Sequence, residues 1–241
     1  MIWDLKILRQ SIEKLYGQEY LAKLSPSLNS IVERQEFGRL YFYEAKNALK
    51  NILDKKTDQK SLLRLVLPFE TEERKIFEDR KFIAKAHILS CLQNMHSVPD
   101  ILSHVIYYSI NIKKAKNEKH INIKNVHEWI KEKVKLNSLD AMLDKLITHD
   151  DYEYLSALVN HSKHRSIIDS YFNVNLRKHG KDMQEIKFRN FEYDGKEYPS
   201  RLVYEFIESE FERESLLIID IGNEVNRIVK NTNNTSQQTI R

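Results

Sequence analysis

Glycine, proline and cysteine are scarce in this chain: 241 residues hold five Gly, four Pro and one Cys. With so few residues that force turns or interrupt helices, long unbroken elements are expected. The lone Cys91 excludes an intramolecular disulfide, and its place in an apolar helical run reads as a buried, inert thiol. No stretch of about 18 apolar residues is present, which argues against a membrane span. The opening Met1-Ile2-Trp3-Asp4-Leu5-Lys6 lacks the basic-then-apolar order of a secretory leader, so the expected location is cytoplasmic. There is also no glycine-rich phosphate loop, paired-cysteine metal site, nucleophile elbow or dinucleotide fingerprint. Common nucleotide-dependent enzymes are thereby disfavoured, and neither a cofactor nor a metal is expected.

What is present is charge and aromatic bulk. Charged residues make up 31% and hydrophobic ones 41%, the balance of a helical protein rather than a disordered one. Ten Phe and twelve Tyr supply core material. The net charge of +4 is too mild to indicate nucleic acid by itself, so local clustering has to decide.

Apolar spacing predicts a helix over residues 4–17. A longer one follows Pro26, which suits a helix entrance, and runs to about residue 54. Residues 54–60 read as a polar loop. The next helix begins near Glu70 and is apolar nearly all round from Phe82 to Tyr108, with Pro99 expected to kink or restart it at Ser97. Shorter helices are predicted around Trp129, after Asn137-Ser138, and over 150–165. Alternation then takes over: Phe172, Val174 and Leu176, then Ile186 and Phe188, then Phe191 and Tyr193, with a bulge expected near Asn190. Asp194-Gly195 is a two-residue hairpin signal. A last helix is predicted over 200–229, and the polar residues 231–241 read as a disordered tail. The expected architecture is mainly α: one domain over 1–230, a helical bundle with a small antiparallel β-hairpin or sheet inserted at about 167–199.

Two constellations could carry chemistry. In the first, Asn160 and His164 stand one helical turn apart beside Lys163 and Arg165. A neutral His164 could accept a proton, Lys163 and Arg165 could hold phosphate, and Asn160 could orient it. These are the parts of a metal-independent attack of an RNA 2′-hydroxyl on its neighbouring phosphate. The competing reading is a polar helix end, where Lys, His and Arg offset the dipole.

Asn160, three residues, then His164 resembles the HEPN superfamily, all-α proteins of bacterial defence, toxin–antitoxin and RNA-processing systems. Their motif is Arg, a polar residue, three further residues and His. Val159 stands at the Arg position. The stretch Leu92-Gln93-Asn94-Met95-His96-Ser97-Val98-Pro99-Asp100 resembles the His- and Asp-bearing helix of some HEPN-like families. The resemblance covers residues 75–165 and the last helix. It implies a HEPN-like helical bundle, a homodimer with paired motifs, and RNA binding or cleavage. Members lacking the Arg are implied to bind RNA or proteins without cleaving. A looser match, Arg80 with His87, lies on the central helix.

The second constellation is His96, Asp100 and His104 at i, i+4 and i+8. Three readings stand: a structural network in which Asp100 fixes a histidine tautomer, a polar wall of the cleft near His164, or a Zn²⁺ or Fe²⁺ site. Lysines over 113–119, extended by Lys124, Lys131, Lys133 and Lys135, and the run Arg177-Lys178-His179-Gly180-Lys181 are either solvated surface or a phosphate-binding patch. The acidic run Glu205, Glu208, Glu210, Glu212 and Glu214 fits a basic protein partner. Sequence thus supports two functions: RNA binding or cleavage in a stress or defence system, or a non-catalytic immunity, antitoxin or complex-subunit role.

Overall fold

The structure is a computed structural model that describes residues 2–238, with side chains described as far as residue 233. Among the described residues it is mainly α: eight helices and four short strands. The helices are α1 (Leu5–Tyr16), α2 (Gln18–Leu53), α3 (Gln59–Val66), α4 (Glu72–Ser109), α5 (Ile123–Lys131), α6 (Asn137–Ile147), α7 (Asp150–His164) and α8 (Val203–Gln238). None of them is long and apolar enough to cross a membrane.

Local chemistry sets most helix starts. Asp4, Asp58 and Asn122 cap α1, α3 and α5, each accepting from a backbone N–H of the first turn. Gly17, at φ 84°, turns α1 directly into α2. Pro26 is not a helix entrance and Pro99 does not restart its helix. Pro26 and Pro99 both lie inside continuous helices. Each removes one i→i−4 hydrogen bond and crowds the preceding turn, roughly 3 kcal/mol. Burial of Leu24, Leu28 and Ile31 around the first, and of Met95, Val98 and Leu102 around the second, offsets that cost. Ser97 is therefore mid-helix and not an N-cap. The polar residues from 231 onward are helical as far as Gln238, because extending an existing helix escapes the nucleation cost. Asn233 also reaches the Ser11 carbonyl, at 3.4 Å. Residues 239–241, the end of the expected tail, lie outside the described residues.

The expected β insertion is two antiparallel hairpins rather than one sheet. Strands β1 (Ser170–Val174) and β2 (Gln184–Phe188) pair with Phe172 opposite Ile186, while β3 (Phe191–Tyr193) and β4 (Lys196–Tyr198) pair with Phe191 opposite Tyr198. Asp194 and Gly195, both at positive φ, form the predicted tight turn. The shift in alternation at Asn190 is the break between hairpins and not a bulge inside one strand.

The chain forms two compact units interleaved in sequence, and the residues read as a single domain contribute to both. Unit 1 comprises 1–36, 96–152 and 211–241; unit 2 comprises 37–95 and 153–210. Unit 1 buries Leu8, Ile12, Leu28, Val105, Ile106, Val126, Leu143 and Val225 in one apolar core. Trp3 lies against Gly222, where an added Cβ would come within 2.1 Å of the indole. That close approach explains a glycine inside α8. Unit 2 buries Leu49, Leu62, Phe77, Ile88, Leu155 and Phe188, and its free Cys91 is buried as expected.

Candidate functional site

The C-terminal half of α7, in unit 2, is shaped by what it buries. Tyr154, Leu155, Leu158 and Val159 are all 2% exposed or less. Tyr154 sits among the rings of Phe188, Phe191, Tyr198 and Phe206, with centroids 4.9–6.4 Å away, and the Arg201 guanidinium lies 4.4 Å over its face. Burial pushes its phenol well above the ordinary range. Because Val159 is in this core at 0% exposure, the position matching the motif arginine presents nothing to solvent.

The β3–β4 hairpin is fastened to α7 at two levels. Lys196 pairs with Glu153 at 2.7 Å, and Tyr198 Oη donates to the same carboxylate, which holds Glu153 below its usual range. At the other end the Arg165 guanidinium lies 4.9 Å over Tyr193 and 3.7 Å from Asp194. The His161 ring meets the edges of Phe191 and Tyr193 and contacts the Ser166 carbonyl at 2.6 Å. A carbonyl only accepts, so His161 carries its proton on Nδ1. The His161 carbonyl in turn accepts from the N–H groups of Arg165 and Ser166. His161 thus closes the helix end, a role that sequence reasoning missed; its clue was the five-residue reach to Ser166 across a helix stop.

The four residues singled out on α7 divide by what holds them. Asn160 is half-buried and donates to Ser156 Oγ at 3.3 Å. Arg165 is held by the hairpin. Lys163 and His164 are exposed, and their side chains make no hydrogen bond or ion pair among the described residues. The last turn therefore offers an uncommitted imidazole and ammonium beside a tethered guanidinium.

His96, Asp100 and His104 belong to unit 1, on the second half of α4. The His96 ring stacks on Tyr152 at 6.4 Å and 9°. Asp100 Oδ1 accepts from the Ile123 N–H at 3.0 Å, adding a second cap to α5 beside Asn122. Asp100 thus serves a helix start, where sequence reasoning had it fixing a histidine tautomer. His104 is half-buried. Arg80 is exposed, while His87 stacks on Tyr41 at 5.8 Å.

Each basic run is partly paired. Lys114 bonds Glu132, Lys178 bonds Glu185 and Lys181 bonds Asp54. Lysines 113–119 are in unit 1 and residues 177–181 in unit 2. The acidic run of α8 is not a continuous exposed face, since Glu210 and Glu214 are buried and Glu208 pairs with Lys46.

No protein-family model, curated protein or solved structure matches the chain.

Proposed function

We propose that this is a HEPN-like RNA-binding protein of a bacterial stress or defence system, toxin–antitoxin systems included, which takes RNA phosphates at the last turn of α7 without metal or cofactor. The observation that carries it is the pair Lys163 and His164, exposed and uncommitted, beside an Arg165 preset over Tyr193. Lys163 and Arg165 supply phosphate contacts, and Asn160, one turn from His164, orients the backbone. Tyr193 offers a ring edge next to the cation. Cleavage would need His164 to take the 2′-hydroxyl proton as that oxygen bonds to phosphorus, cations to hold the charge growing on the non-bridging phosphate oxygens, and the 5′-oxygen to leave with a proton from water. Val159 puts a buried apolar side chain where the motif has its cation, and the Nδ1 proton of His161 is already used, so binding without cleavage is the expected activity.

The test is fluorescence polarisation with a labelled single-stranded RNA. Lys163→Ala with His164→Ala should weaken binding about tenfold or more and flatten its salt dependence. Unchanged affinity in that double variant would overturn the reading. Appearance of a 2′,3′-cyclic phosphate end that vanishes in His164→Ala would raise the assignment from binder to ribonuclease.

A second reading, a protein-interaction role, is favoured by one observation. Phe37, Leu40 and Tyr43 share a side of α2 and are 46%, 52% and 56% exposed. A protein partner or a second copy would cover this stripe. Sedimentation velocity on Phe37→Ser with Leu40→Ser tests self-association: loss of a dimer present in the wild type supports a homodimer through α2.

A further inference from the structure

Lys133-Val134-Lys135-Leu136 forms a tight helical turn between α5 and α6 in unit 1. This turn lines a cavity of about 400 Å³ together with Tyr16, Ser109, Ile110 and Ile228, from the ends of α1 and α4 and from α8. That volume lies in the range of small-molecule sites, roughly 300–1,000 Å³. Three features set it apart from ordinary surface relief. Ser109 in its wall is 0% exposed, and its hydroxyl has no hydrogen-bond partner among the described residues. Buried hydroxyls are normally paired, and one left unpaired destabilises the fold. Lys133 and Lys135 make no side-chain ion pair or hydrogen bond among the described residues, and no carboxylate lines the cavity. Between them Val134 stands 82% exposed, an apolar side chain in water at the rim. Cations without counter-charge and an apolar rim ask for one kind of occupant.

We infer that this cavity binds a small amphipathic anion, an aliphatic or aryl chain bearing a carboxylate or phosphate. Lys133 and Lys135 take the charge, and Val134, Leu136 and Ile228 cover the chain. The site uses none of the residues of the α7 turn and stands independently of the RNA reading.

Calorimetric titration of the full chain with octanoate tests it, with 1-octanol as the uncharged control. Octanoate should bind with one-to-one stoichiometry and octanol about tenfold more weakly. Lys133→Gln with Lys135→Gln should bring octanoate to the level of octanol while circular dichroism stays unchanged. Ser109→Ala should raise the melting temperature, because it removes an unsatisfied buried group. No saturable binding of octanoate, equal binding of octanol, or wild-type affinity in the double lysine variant would each overturn the inference.

Discussion

Asn160 with His164 on α7 and His96 with Asp100 and His104 on α4 repeat at the same four-residue spacing, yet the fold puts them to different use. On α4, Asp100 caps α5 and His96 lies on a tyrosine ring. On α7, Asn160 holds Ser156 and His161 closes the helix on Ser166, which leaves Lys163 and His164 with nothing to hold inside the protein. The comparison teaches that spacing alone does not mark a functional cluster. What separates the two is whether a neighbouring element supplies a backbone group or ring that engages the side chains. Engaged groups should register in stability, and disengaged ones in binding.

That rule can be broken at several points. The largest effect is expected for Tyr154→Ala, which empties the aromatic cluster joining α7 to the hairpins. It should cost about 3–5 kcal/mol, read as a lower urea midpoint, and should weaken RNA binding by loosening the hairpin that seats Arg165. A stable variant with intact binding would show that the hairpin does not position the turn.

Next comes Glu185, an engaged carboxylate on β2. Burial pushes its carboxyl up, but hydrogen bonds from Asn175, Lys187, Asn173 and Lys178 outweigh it and hold it down to about 2. A folded-state value below the unfolded one stabilises above the ordinary value, near 4.5, and loses that stabilisation as pH falls from there toward 2. Its contribution is on the order of 3 kcal/mol. Glu185→Gln should lower stability at pH 7 and flatten the decline between pH 5 and about 2; an unchanged acid limb would contradict this.

Asp100→Ala removes one cap from α5 and should cost about 1 kcal/mol in thermal unfolding, with RNA affinity untouched. Smallest of all, Lys163→Ala and His164→Ala should each change stability by less than about 0.5 kcal/mol. A large loss in either would mean that the turn is structural after all.

Much of the fold was legible from periodicity. The boundaries of α1 and α7 and the places of α5 and α6 followed from apolar spacing, and Asp194-Gly195 marked its turn. The errors share a cause: a strong local signal was overruled by packing. Pro26 and Pro99 looked like helix boundaries, but buried neighbours on both sides carry α2 and α4 through them. Helix α3 was missed because its eight residues bury only Leu62 and Leu65, too few to show a period. In the candidate site, residue types and spacing were readable, but exposure was not. In the sequence, His161, which closes a helix, differs from His164, which faces water three residues later, only by its five-residue reach to Ser166 across a helix stop. The acidic run of α8 misled for the same reason, since two of its five glutamates point inward.

The most direct measurement is a titration of the histidine ring signals by NMR with a single-stranded RNA. If the last turn of α7 is the interface, the His164 resonances move and saturate, while those of His96 and His104 stay in place. Movement of His96 and His104 with His164 unaffected would contradict the account.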